Sequence, residues 1–96
     1  MDYHYNKLTP AEAERLAILS EECGEVIQII GKILRHGYKS SHPEGGPTNR
    51  KLLAFEIGDV ITAVLMMTEI EDINNNIIDE RVEYKLEKIK KYLHHQ

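Results

Sequence analysis

Tryptophan is absent from the 96 residues, phenylalanine occurs once, and aromatic residues make up 6% of the chain. A chain this short buries a modest share of its surface, and it has few large rings to fill a core. A core completed by a second copy is therefore expected. Cysteine also occurs once, at Cys23, so no internal disulfide can form. The first residues, MDYHYNKL, have neither the basic nor the apolar region of a signal peptide. Together these absences point to a cytoplasmic protein, or to the host cytoplasm if the protein is viral. No apolar run approaches the roughly 20 residues that cross a bilayer, so no membrane partner is expected. Basic residues are also short: 12 Lys and Arg against 16 Asp and Glu give a net charge of -4. Nucleic-acid binding modules carry the opposite balance, so nucleic acid is not an expected partner.

What is present is ordinary for a folded chain, with 42% hydrophobic and 29% charged residues. The length suits a single domain over residues 1–96. Thr9-Pro10-Ala11-Glu12 has the form of a helix start, with Thr9 as N-cap, Pro10 at the first helical position and Glu12 closing a capping box. Leu16, Leu19, Val26, Ile30, Ile33 and Leu34 then recur at helical spacing until Gly37 offers a stop, and Gly24 and Gly31 are candidate bends. The Gly-, Ser- and Pro-rich stretch GYKSSHPEGGP is a loop, longer than helix connections usually need.

Thr48 or Asn49 can cap a second helix with a broad apolar surface running from Leu52 to Ile70. After the turn at Asn74, Asn75 and Asn76, a charged third helix carries one stripe: Ile78, Val82, Leu86, Ile89 and Leu93. This third helix belongs at the edge. A short helix near Asp2 to Leu8, or within the loop, fits the pattern too. No alternation supports a strand. The expected fold is all-α, an antiparallel helical bundle completed by oligomerisation.

Four acids interrupt the apolar rows. Glu22 and Glu25 share one helical face, as do Glu56 and Asp59. Glu22 lies between Ile18 and Val26 in an i, i+4 row, and Glu56 lies between Leu52 and Val60 in another. Converging carboxylates taken from water repel one another and call for a cation. No Lys or Arg sits beside either pair on the inward rows, so a divalent metal is the better candidate. Oxygen-only ligands suit Mg2+ or Mn2+, whereas Zn2+ favours His or Cys. A di-iron centre would need Glu-x-x-His pairs, which these acids lack. The alternative at this point is that the acids are solvated helix-surface charges. The Gly45-Gly46 loop has no following Lys-Ser/Thr, so it is not a P-loop.

Glu21-Glu22-Cys23-Gly24-Glu25 and Glu56-Ile57-Gly58-Asp59 resemble the EExxE and ExxD signature of the MazG-like, all-α nucleoside triphosphate pyrophosphohydrolases. The likeness extends from about Leu16 to Leu93. Arg35-His36-Gly37 and Pro47-Thr48-Asn49-Arg50 are similar to the short, single-domain, phage-type branch. The resemblance implies Mg2+-dependent hydrolysis of an NTP or dNTP to the monophosphate and pyrophosphate, in control of a nucleotide pool. Mn2+ is an expected substitute.

By the same resemblance Glu22, Glu25, Glu56 and Asp59 are the metal ligands, and Glu21 either orients or deprotonates the attacking water or is a solvated acid. Lys85 and Lys88, one turn apart on the last helix, are candidates for the phosphates, against ordinary surface pairing. Arg50 is a further candidate because it stands at a helix start. Asn75, with Tyr38, His42 and Asn49, is a candidate for base recognition. A purine deoxynucleotide, dGTP or dATP, is the expected substrate by analogy with phage-type relatives. The alternatives are a dUTP- or dUDP-type pyrophosphatase and a non-catalytic helical association module. A dimer or tetramer is the expected assembly.

Overall fold

Thr9 opens the first helix with the expected reciprocal cap: its Oγ1 accepts from the Glu12 amide at 3.1 Å, and its own amide donates to Glu12 Oε1 at 2.8 Å. In this computed structural model, which describes residues 6–95, α1 spans Pro10–His36 and runs through Gly24 and Gly31 without a break. It ends at Gly37, whose φ of 89° favours glycine and whose amide closes on Ile33 O at 2.7 Å. The expected short helix near Asp2 lies in part outside the described residues. Its remainder, 6–8, is a turn in which Asn6 Oδ1 accepts from the Leu8 amide.

The loop from Gly37 to Thr48 holds no helix, and its one isolated bridge joins Ser41 to Thr48. Thr48 rather than Asn49 caps α2, Asn49–Glu69, by accepting from the Lys51 amide. Asn49 ties the loop instead: buried, it donates from Nδ2 to Gly37 O at 3.2 Å and from its amide to Ser40 O at 2.8 Å. At the far end Arg15 of α1 meets Asp72, just beyond α2, with Nε to Oδ2 at 2.6 Å. Start of α1 to end of α2, and end of α1 to start of α2: the two helices form an antiparallel hairpin.

Asn74 then caps α3, Asn75–Ile89, which continues into a 3-10 turn at Lys90–Tyr92. No strand occurs among the described residues, and no helix there is long and apolar enough to cross a membrane. The all-α expectation holds.

α1 and α2 pack extensively on each other, whereas the main contact of α3 is a much smaller one with the turn that directly follows it. The radius of gyration, 17.2 Å, accordingly exceeds the about 13 Å of a compact domain of 100 residues. The only buried hydrophobic residues described are Ile29, Ala63 and Met67. Large apolar side chains stand exposed on every helix, among them Ile27 and Leu34 of α1, Phe55, Ile61 and Leu65 of α2, and Val82, Leu86 and Ile89 of α3. One chain does not bury its own apolar faces.

Candidate functional site

Ile29 follows Glu25 by four residues, and Ala63 follows Asp59 by four, so the residues at the centre of the hairpin core share helical rows with the acids. Packing Ile29 against α2 and Ala63 against α1 therefore swings both acidic pairs into the seam. Glu22, Glu25, Glu56 and Asp59 converge there, each offering a carboxylate oxygen within 4.8 Å of the others. Glu22, Glu25 and Glu56 are half-buried and Asp59 is exposed, so the cluster has a dry side and an open side.

Four like charges at this spacing are unfavourable by themselves. Burial, followed by the charges of Glu25, Asp59 and Glu21, pushes the Glu22 carboxyl above its ordinary value. A hydrogen bond to Glu25, possible only while one of the two is protonated, leads the causes that raise Glu56, followed by burial and neighbouring charge. Even so, Glu22 Oε2 and Glu56 Oε2 are buried without a hydrogen-bond partner. Buried polar atoms normally find a partner, and two orphaned oxygens facing two more carboxylates fit a cation. The donor set is all oxygen, which matches a hard ion. The 4.8 Å span slightly exceeds the about 4.2 Å between opposite oxygens around a magnesium-sized ion, so a small inward movement would close the four on one ion.

The remaining candidates are placed differently. Glu21 is exposed, one residue before Glu22 and outside the four-acid cluster. Arg50 stacks its guanidinium over the Tyr38 ring at 4.8 Å. The reason for choosing Arg50, a helix start with amides free for an anion, is weakened by the structure. The first three amides of α2 are already taken, by Ser40 O, Tyr38 O and Thr48 Oγ1.

Asn75 begins α3 with Nδ2 at 3.5 Å from Asp79 Oδ2. Arg50 and Asn75 stand near opposite ends of α2, separated by roughly 30 Å along a helix of this length. Lys88 lies over the Tyr84 ring at 5.4 Å, and Lys85 is exposed on the same helix. Neither forms an ion pair among the described residues. Because α3 does not pack along the acid-bearing helices, a single chain does not bring these lysines to the cluster. Sequence reasoning missed the Arg15–Asp72 pair, which no local spacing announces, and the way Lys32, Arg35, His36 and His42 line one cavity with the loop.

The family of the MazG nucleotide pyrophosphohydrolase domain matches residues 11–95, nearly the whole chain and all five motif acids. Neither a curated relative nor a solved structure matches it.

Proposed function

The chain belongs to the MazG nucleotide pyrophosphohydrolase family, and from that membership together with the seam of four acids we propose that it is a Mg2+-dependent enzyme cleaving a (deoxy)nucleoside triphosphate to the monophosphate and pyrophosphate. The observation that carries this reading is the pair of orphaned buried oxygens, Glu22 Oε2 and Glu56 Oε2, in a cluster with Glu25 and Asp59. A helical association module would gain nothing from holding repelling acids half-buried in its core.

Glu22, Glu25, Glu56 and Asp59 hold the cation. Once bound, Mg2+, or Mn2+ in its place, would neutralise the triphosphate, polarise the α-phosphoryl group and lower the pKa of the attacking water. Glu21, exposed at the edge of the cluster, orients that water or takes its proton. The oxygen of water bonds to the α-phosphorus as the bond to the bridging oxygen breaks, and pyrophosphate leaves. The open side at Asp59 gives the nucleotide its approach.

The substrate is read as a purine deoxynucleotide, and the role as control of a nucleotide pool in the cytoplasm, in keeping with the phage-type features at Arg35-His36-Gly37 and Pro47 to Arg50. Assembly is part of this reading. Gly24 and Gly58 each follow the first acid of a pair by two residues, so they face away from the seam, and a Cβ at either would meet nothing within 4 Å. Glycine inside a helix costs about 1 kcal/mol relative to alanine, and the chain itself gains no close packing from either one. With Ile27, Ile61 and Leu65 exposed nearby, these outer faces suit a dimer or tetramer in which α3 of one copy carries Lys85 and Lys88 toward the acids of another. A screen of all ribo- and deoxynucleoside triphosphates with Mg2+, with products separated by chromatography, tests the reading. Monophosphate and pyrophosphate are expected from at least one purine deoxynucleotide, and absence of both from every nucleotide would overturn it.

A further inference from the structure

Beyond the acids, the loop end of the hairpin encloses a cavity of about 240 Å3. Lys32, Arg35 and His36 contribute from α1, and Ser40, Ser41 and His42 from the loop, above Leu52 of α2. No Asp or Glu lines it, although the chain carries a net charge of -4. Lys32 and Arg35 form no ion pair among the described residues, so two permanent positive charges are left without a carboxylate.

Three further features bear on its use. The loop wall is fixed by the Ser41–Thr48 bridge and by the bonds from Asn49 and Arg50 amides to Ser40 and Tyr38 carbonyls. His42 Nδ1 accepts from the Glu44 amide at 3.1 Å, which leaves Nε2 as the N–H donor of that ring. Arg35 folds back along α1, its Nη1 3.4 Å from where a side chain at Gly31 would begin. Favourable interaction with a helix C-terminus explains basic residues in the last turn, but that effect fades beyond it. It accounts for neither Lys32 nor the hydroxyls and imidazole that the loop adds opposite.

We propose that this cavity is an anion subsite that takes a phosphate group. Lys32 and Arg35 supply charge, and Ser40, Ser41 and His42 supply donors. Along α1 the cavity begins about 10 Å from Glu25, and along α2 about 6 Å from Glu56. The outer phosphates of a bound nucleotide and a free phosphate or pyrophosphate are therefore both within its reach. The proposal does not require the catalytic reading, and its test is made without metal or turnover.

The full chain in EDTA is titrated with inorganic pyrophosphate while the ring resonances of His36 and His42 are followed by NMR. Saturable shifts in both rings are expected, weakening as salt is added. In the Lys32→Ala/Arg35→Ala double variant the affinity should fall at least tenfold, while circular dichroism and the metal-free Tm stay close to those of the wild type and report an intact hairpin. No shift at millimolar pyrophosphate, or equal affinity in the double variant, would overturn the proposal. Titration with dGTP and with dGMP separates the sources. Shifts with dGTP but not with dGMP identify the outer phosphates of a nucleotide, and shifts with pyrophosphate alone identify a free anion.

Discussion

The α1–α2 hairpin and α3 all carry apolar residues at helical spacing, yet among the described residues only the two hairpin helices pack extensively on each other. In the hairpin each helix turns its inward rows toward the other, burying Ile29, Ala63 and Met67 and forcing four acids into the seam. α3 has its own N-cap at Asn74 and a clear stripe, but Val82, Leu86 and Ile89 of that stripe are exposed. The difference teaches where each part draws its stability and its chemistry. The hairpin uses core burial to hold charges that repel, whereas α3 keeps apolar surface that the hairpin leaves exposed.

The sharpest way to break the comparison is to remove the charge that sets the hairpin apart. Glu22→Gln and Asp59→Asn should each lower pyrophosphate release by at least about a hundredfold, the upper end of the loss seen when the support of a metal ligand is removed. Circular dichroism should be unchanged, because removing one charge from a repelling cluster relieves the metal-free fold. Near-wild-type turnover in both variants would remove the ligand assignment. Metal should act on the same region: at a hundredfold excess over its dissociation constant, Mg2+ should raise Tm by about 10–20 °C over the EDTA-treated protein. Equal melting in both buffers would leave the orphaned oxygens without their explanation.

The counterpart on α3 is Leu86→Asp, which puts a charge in the exposed stripe. Self-association should weaken roughly tenfold or more, read by light scattering as a fall toward the mass of a single chain, while the Mg2+-linked Tm rise persists. Turnover falling in step with dissociation would mean that α3 of a second copy completes the site. An unchanged mass would mean that the stripe is not the contact between copies.

A smaller effect follows from protonation. Glu22 and Glu56 both titrate above their ordinary 4.5 in the folded protein, so the fold holds their protons longer than the unfolded chain does. Their contribution to stability is fully present below about 4.5 and is lost as pH rises through the raised values. Without metal, the Tm of the wild type relative to Glu22→Gln should therefore decline as pH rises above that point. With Mg2+ present the trend should reverse, because the cation takes the place of the protons. A constant difference between the two proteins across this range would show that the acids do not interact as the geometry implies.

Local signals carried much of this architecture in the sequence. Thr9 and Glu12 announced the start of α1, Gly37 its end, and the interruption of the rows through Ile18 and Leu52 announced the acids. Rotation was harder to read. Ile27, Ile29, Ile30, Ile33 and Leu34 give α1 an almost continuous apolar surface, and the spacing that selected Ile30 and Leu34 passed over Ile29, the one that is buried. α2 has the same ambiguity, since Ile57, Ile61 and Leu65 face outward while Ala63 and Met67 take the core. Which apolar side goes inward is decided by the partner helix, and that information is not local. For α3 the stripe was legible, but nothing local says what would cover it, and Val82, Leu86 and Ile89 stay exposed.

Arg15 and Asp72, 57 residues apart in sequence, are the tether between the two regions and give the finest test of their independence. The guanidinium meets the carboxylate through both Nε at 2.6 Å and Nη2 at 3.2 Å, with the side chains 19% and 14% exposed. Asp72 also donates its amide to Met67 O at 2.9 Å, and Glu71 before it adopts φ 64°, a left-handed conformation uncommon outside glycine. The chain thus turns out of α2 at a point pinned to the start of α1. Asp72→Asn keeps the shape and removes the charge, so Tm should fall by much less than the metal shift. Hydrogen exchange should show lost protection in α3, with the amides around Glu22 and Glu56 unchanged. The loss should be greater in a Leu86→Asp background, in which the proposed contact between copies is weakened. Equal loss of protection in both regions would show that hairpin and α3 melt as one unit, and that the pair secures the whole fold rather than the direction of one helix.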